Sequence, residues 1–507
     1  MLEKYYGEIE QNKNVRENLS LIRGEIKAQD KLAHFFVLAG DGTLLMKLLG
    51  REDAKIRKNA ALLLGDMGLE AAADALWDAY CAEETLFVKS AYLTALGKLA
   101  RPEYLERYES RLAVLTAAEP EDSERKHVTE EIRALEKNIT AIRGIRRHTF
   151  TGFRSERLLL LAAGREQREA VLAELSEKLH GTGRVHPLGI LAQARDLKPF
   201  EKLRTYRELL FPIRPAGKQG SASAHAGEIS GAPAQLAEAL WTSDLPQALA
   251  ESHREEGPFY FRLEIRGRLA ADEKSVLARK LCAELERLSG RSLINLAGSY
   301  EAEIRLVQTK DGGYMPFYKL FTWKTQRFSY RKHAIAASVH PATAAAMMQL
   351  AKPYLKEGAQ ILDPFCGVGT MLIERDLCVP AGDKYGIDLF GDAVLMAREN
   401  ASAAGEQIHF INRDYFDFRH AYLFDEIVTN MPVRGKKTKE EMDAFYGRFF
   451  KKSGEVLRRG AVLVLFSVEE GFVKKQLRLC REYRLLAEHC IRKKDHFYLY
   501  VIQYQGE

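Results

Sequence analysis

The stretch Ile361-Leu-Asp-Pro-Phe-Cys-Gly-Val-Gly-Thr370, ILDPFCGVGT, decides the fold. Apolar residues end in an aspartate, a turn with two glycines follows, and MLIERDL continues as a helix. Strand, tight turn and helix in that order are the first unit of a parallel sheet. Further strand-like runs follow at KYGIDLF, QIHFINRD, FDEIVTN and AVLVLFS, with helical segments expected between them. YRLLAEHCI and HFYLYVIQY then come so close together that they predict an antiparallel hairpin at the end of the sheet. The C-terminal third is therefore expected to be a doubly wound sheet with helices on both faces.

In such sheets ligands bind beyond the C-terminal strand ends, and a Gly-rich first turn lets a ligand approach the backbone. Gly367-Val368-Gly369 lacks the third glycine of the dinucleotide fingerprint. Asp363 closes the strand before the turn, and Asp388 closes the next strand, where a carboxylate suits a ribose diol. Asp414, with Tyr415 beside it, is placed to accept from an adenine amino group. An acid directly before the turn repels a pyrophosphate and attracts a cation. The set points away from NAD and toward S-adenosylmethionine.

At 507 residues the chain exceeds one core and predicts about three domains. VRENLSLIRGEIK from Val15, IRKNAALLLGDMG from Ile56 and VKSAYLTALGKLA from Val88 repeat a β-branched residue, a cation and, nine residues after the first, Gly24, Gly65 and Gly97. Helical pairs recurring in this way suggest a short α-solenoid. Residues 148–214 are expected to alternate RLLLLAA, a helix ended by Gly181, and PLGILAQA. A flexible loop is expected over 217–234, then strand FYFRLEIRG, a helix over 272–290, strand YEAEIRLVQT and the hairpin GGYMPFYKLF. YKLFTWKTQRFSYRKH interleaves cations with aromatics and suits a surface that grips phosphates, Arg331 and Lys332 included. The six cysteines are scattered, so neither disulfide nor metal is expected. No apolar run approaches the ~20 residues needed to cross a bilayer, and MLEKYYGEIEQNKN has no signal-peptide core. The expectation is a cytoplasmic protein with no membrane contact.

DPFCGVGT, GIDL, NRD and TNMP, in this order and preceded by HPATAAAMMQLA, resemble the motifs of class I S-adenosylmethionine-dependent methyltransferases. YRKHAIAASVHPATAAAMMQLA followed by ILDPFCGVGT is similar to the THUMP-domain RNA methyltransferases, and the N-terminal repeats resemble HEAT repeats. The resemblance implies three domains: 1–146 helical and HEAT-like, 147–325 an α+β THUMP-like RNA-binding region, and 326–507 a Rossmann-like methyltransferase sheet with an antiparallel last strand. It also implies that Asp363, Phe365, Cys366, Gly367, Gly369 and Thr370 surround the methionine part of the cofactor. Asp388 and Leu389 would hold ribose and adenine, Asp414 and Tyr415 the adenine, with Asn430 also at the cofactor. His340 and Pro341 would open the helix that covers it.

Asn430-Met431-Pro432-Val433 stands where amino-group methyltransferases carry [D/N]-P-P-[Y/F]. An exocyclic amine is a poor nucleophile, and an Asn oxygen with a following carbonyl can accept its N–H bonds and fix its lone pair in line with the methyl group. Met431 is accommodated by the resemblance to guanine-N2 enzymes, while Val433 removes the aromatic that stacks a flipped base. Phe445 or Tyr446 is the expected substitute. Arg434, Lys436 and Lys437 follow at once, and nine Lys/Arg against four Asp/Glu lie between Arg434 and Arg459, a density that fits phosphate binding. The leading expectation is methylation of guanine N2 in tRNA, with a protein partner on the helical repeats. Alternatives are an adenine-N6 or ribosomal RNA amino-methyltransferase and, from another class, a catalytically weakened RNA-binding scaffold.

Overall fold

The computed structural model describes residues 1–29, 31–118, 120–121, 123–144, 147–214 and 228–506. The chain divides into two compact units, Met1–Arg146 and Arg147–Glu507.

The first unit is helical, as expected. The three similar segments fall in helices Val15–Gln29, Ala54–Met67 and Leu86–Leu99. Their apolar residues recur at helical spacing, and Leu19, Ile22, Leu64, Val88, Tyr92 and Leu96 share one core. The repeated glycine has a packing reason in two copies. A Cβ on Gly65 would lie 2.5 Å from Ala95 Cα, and one on Gly97 would strike Asn138 Oδ1, whereas Gly24 faces open space. Asp53 caps the middle helix by accepting from Lys55 N at 2.7 Å.

The second unit contains two sheets. The first has eight strands: β1 (Arg157–Ala162), β2 (Arg184–His186), β3 (Gly189–Ala194), β4 (Glu208–Pro212), β5 (Phe259–Arg266), β6 (Leu293–Asn295), β7 (Ala302–Gln308) and β8 (Tyr314–Leu320), in the order β2-β3-β1-β4-β8-β7-β5-β6. β5 and β7 run parallel around helix Ala271–Leu288, and β8 returns antiparallel to β7. β2, β4 and β6 are too short to leave a periodic signal in sequence. Helix Arg168–Leu179 ends at His180, which takes the left-handed conformation (φ 50) in place of the expected Gly181. Of the expected loop, residues 217–227 lie outside the described residues. Residues 228–234 are not loop throughout, because Ile229 is buried and pairs with Tyr314, and a helix starts at Pro233.

The second sheet has seven strands: β9 (Ile361–Asp363), β10 (Lys384–Asp388), β11 (His409–Asn412), β12 (Phe424–Asn430), β13 (Leu457–Ser467), β14 (Tyr483–Arg492) and β15 (Phe497–Tyr504). Their order is β11-β10-β9-β12-β13-β15-β14, and β15 is antiparallel to both its neighbours. The strand order reverses between β9 and β12, which opens a crevice there. One expectation is corrected: between β11 and β12 there is a single 3-10 turn, Tyr415–Asp417, in place of a helix. In this segment Tyr415 and Phe418 pack directly into the core.

The two sheets of this unit are pinned together. Arg204 donates to both oxygens of Glu374 at 2.7 and 2.8 Å and to Arg327 O, and Tyr330 donates to Glu374 as well. Arg327 is buried, lies over the Tyr206 ring and donates to Leu203 O and Tyr206 O. The basic and aromatic stretch is therefore largely structural: Tyr318, Arg327 and Tyr330 are buried.

Candidate functional site

The C-terminal ends of β9, β10 and β12, the turn after β11 and the β14–β15 hairpin line one cleft of about 1000 Å3. Gly367 (φ 51) and Gly369 (φ 82) take the left-handed region that the turn after β9 requires, and a Cβ on Gly369 would press on Phe410 at 3.1 Å. Asp388 ties this turn to the next strand by accepting from Gly367 N at 2.8 Å and Phe390 N at 2.9 Å. Asn412 donates to the carbonyls of Asp388 and Leu389, which leaves the Leu389 side chain exposed at the cleft.

Asp363 is buried at the base of the turn. Its Oδ1 accepts from Thr429 Oγ1 at 2.5 Å and Phe365 N at 3.1 Å, and its Oδ2 has no partner among the described residues. Burial pushes its pKa up to about 7. Thr370 Oγ1 is likewise buried without a partner. An unsatisfied acid and an unsatisfied hydroxyl lining one cleft fit a zwitterion carrying an ammonium and a carboxylate, which the methionine end of S-adenosylmethionine is.

Asn430 ends β12, and its amide nitrogen donates to Ala337 O at 3.3 Å. The reverse orientation would set oxygen against oxygen, so the carbonyl oxygen of the amide is the atom left for a ligand. Met431 is buried, with its N–H on Phe466 O. Pro432 and Val433 line the cleft, and Val433 is 53% exposed. Of the expected aromatic substitutes only Phe445 lines the cleft, 5.5 Å from the Phe365 ring with Lys437 above it. Tyr446 is fully buried and bonded to Ser467, so it cannot stack a base.

His340 caps helix Pro341–Ala351 and accepts from Ala342 N at 3.1 Å. Burial, then Arg207 and Arg331, hold its pKa at about 4, so it is neutral near pH 7. The other expected residues divide. Cys366 lines the cleft, with its thiol pushed up by burial. Asp414 lines it too, but spends Oδ1 on capping its own turn at Phe416 N. Tyr415 lines the cleft as well, while most of its ring packs against Phe365, Phe416 and Phe449 and its hydroxyl bonds to Ser453. Arg434 donates back to Lys437 O, Lys436 and Lys332 are exposed outside the cleft lining, and only Lys437 of the basic run reaches the cleft. Arg331 is half-buried with its Nε unpaired.

Ala337, Thr429, Phe416, Arg448, Arg492 and Phe497 take part in the site or line it without standing out in the sequence. Only Thr429, next to Asn430, has a sequence cue. Among the described residues no group of His, Cys, Asp or Glu could hold a metal ion, and no helix is long and apolar enough to cross a membrane.

Comparison with known proteins places this geometry. Residues 329–485 match the family described as RMKL-like, methyltransferase domain. The tRNA (guanine(6)-N2)-methyltransferase of Thermus thermophilus is 30% identical over 156 residues, 29% of this chain and 45% of that protein. The U6 snRNA (guanine-N(2))-methyltransferase THUMPD2 of Mus musculus is 31% identical over 143 residues, 28% of this chain and 26% of that protein. A ribosomal protein L11 methyltransferase of Dictyoglomus thermophilum matches at 30% over 153 residues, 28% of this chain and 46% of that protein. The chain thus spans less than half the length of these curated relatives, and what they share is not one acceptor. TrmN from Thermus thermophilus has the same fold at 20% identity, TM-score 0.51, over 69% of this chain and 100% of that one. SMU.472, solved with SAH, does so at 15% identity, TM-score 0.50, over 70% of this chain and 99% of that one. Residues 329–485 form a methyltransferase domain, and S-adenosylmethionine is its cofactor.

Proposed function

We propose that the protein methylates the exocyclic N2 of a guanine in RNA, most simply tRNA. The observation that carries this reading is Asn430, whose amide is turned by Ala337 O so that its oxygen is left as an acceptor beside the glycine turn. An amine held by that oxygen and by a backbone carbonyl of Met431 or Pro432 has its lone pair directed at one point, and the acceptors disperse the charge that develops on nitrogen. When bound, the cofactor would supply a methyl group from a sulfonium that becomes a thioether, and the proton displaced from the amine would pass to solvent. Asp363 and Thr370 hold its amino-acid end, Asp388 its ribose, and Asp414 its adenine amine. Phe445, with Lys437 over it, replaces the stacking face that Val433 lacks.

The guanine-N2 acceptors named for two relatives favour guanine in RNA over the protein acceptor named for the third. In this reading residues 147–325 are a THUMP-like module that holds the RNA beside the 326–507 domain, and 1–146 are HEAT-like repeats that dock a protein partner in the cytoplasm. The test is transfer of tritiated methyl from S-adenosylmethionine into bulk tRNA, ribosomal RNA and total protein. Label in tRNA supports the reading. Label in protein alone overturns it, and binding of RNA with no transfer favours the scaffold.

A further inference from the structure

Three arginines that the proposed mechanism does not use converge on one side of the cleft. Asn430 pairs in register with Phe466 across β12 and β13. The Phe466 ring stacks on Phe497 at 4.8 Å, and the Arg492 guanidinium lies over Phe497 at 5.1 Å. Arg207, at the start of β4 in the other sheet, reaches into the same region and donates to Thr343 Oγ1 at 3.2 Å. Thr343, Arg492 and Phe497 all line the cleft. Arg331 arrives from the connecting segment, where its backbone N–H bonds to Phe328 O, and its charge, like that of Arg207, lies close enough to the cleft residue His340 to act on it.

These cations are not neutralised. Arg207 and Arg331 have no ion pair among the described residues, and Glu208, next to Arg207, is engaged by Arg305 and Lys319. Arg492 has only Asp495, at 3.0 Å, in a pair exposed on both sides and therefore weak. Partial burial of its guanidinium and the nearby charge of Arg492 hold Arg207 below its usual range, although the residue as a whole stays exposed to solvent. Like charges gathered without counter-charge are costly, and an oxyanion held between them relieves the repulsion. His340 is neutral here, so the site consists of guanidinium groups.

We infer that Arg207, Arg331 and Arg492 form a phosphodiester-binding site on the Asn430 side of the cleft, gripping the RNA strand that carries the acceptor base. The inference rests on the RNA-methyltransferase reading. Two features favour an RNA phosphate over the cofactor's carboxylate. The cluster is reached from Asn430 through Phe466 and Phe497, on the far side from Asp388 and Asp414, and both Arg207 and Arg492 are exposed to an incoming strand. The site also joins the module expected to hold RNA to the domain that carries Asn430, so one phosphate would fix the base relative to both.

The experiment is filter binding of bulk tRNA over a salt series, with calorimetry of S-adenosylmethionine binding, for the full chain and for Arg207→Gln, Arg492→Gln and the double variant. The double variant is expected to bind tRNA about ten-fold more weakly, with the salt slope reduced by about 0.7 for each phosphate no longer held, and cofactor affinity within two-fold of the parent. Arg207→Lys should recover most of the loss. Arg492 is exposed, so its single variant reports on the site even where Arg207→Gln fails to fold. Unchanged tRNA affinity and slope would overturn the site while leaving the RNA reading in place. Cofactor affinity that falls while tRNA affinity holds would reassign the arginines to the cofactor's carboxylate. A parent chain that binds no RNA would sink both.

Discussion

Replacing Asp363 by Asn separates what this residue does for stability from what it does for the cofactor. The folded carboxyl holds its proton up to about pH 7, against an ordinary value of 3.8. The stability it contributes is therefore complete below pH 3.8 and is lost as pH rises through 7, where an unpaired carboxylate must sit buried. A rise of that size corresponds to about 4 kcal/mol at most, of which about 2–3 kcal/mol falls between about pH 5 and pH 8. Asn does not titrate, and it keeps the acceptor for Phe365 N and Thr429. With about 2 cal/mol/K of unfolding entropy per residue, the unit spanning 147–507 should show the parent's Tm falling by about 4 °C relative to Asp363→Asn over that range. The sign for the cofactor is opposite. A bound cation favours the ionised carboxyl, so parent affinity for S-adenosylmethionine should fall about ten-fold from pH 8 to pH 6, while the variant binds weakly with no such slope. Thermal melts and calorimetry across the range are the assays. Parallel Tm curves for the two proteins would refute the buried, unpaired carboxyl and with it the fit argued for the cofactor's ammonium.

Asn430→Ala should lower turnover at least about 100-fold, as loss of a transition-state acceptor does, with cofactor affinity within two-fold of the parent; unchanged turnover removes Asn430 from the chemistry. Glu374→Gln leaves Arg204 with an unneutralised charge between the two sheets and should cost about 3 kcal/mol in urea unfolding, whereas a loss below about 0.5 kcal/mol would show that the pair is not holding them. Among the repeat glycines, Gly65→Ala should destabilise by about 1–3 kcal/mol because its methyl meets Ala95 Cα. Gly24→Ala, in open helix, should instead stabilise by about 0.5–1 kcal/mol, and equal effects would show the packing to be misjudged.

The methyltransferase sheet is legible because β9, β10 and β12 end in residues with their own chemistry: Asp363, Asp388 and Asn430 stand out as polar groups closing apolar runs. Much less can be read where tertiary contacts override local pattern. The basic and aromatic stretch before His340 has the composition of a nucleic-acid surface, yet Arg327 is consumed by carbonyls of residues 203–207, more than a hundred positions away. Tyr415 reads as a cofactor contact from its place after Asp414 and does line the cleft, but nothing local foretells that the 3-10 turn also packs its ring into the core. Phe445 is separable from Tyr446 only once the helix Lys439–Val456 is oriented, since adjacent residues differ by about 100° around a helix. Arg207 and Arg492 are nearly three hundred positions apart, and no spacing rule could bring them together.

Delivery of a guanine amine to Asn430 is tested most directly by nucleoside mass spectrometry of tRNA methylated by the purified chain with a deuterated methyl donor. Label is expected in N2-methylguanosine. Label confined to N6-methyladenosine, or to a ring-nitrogen or ribose methyl group, would contradict the assignment.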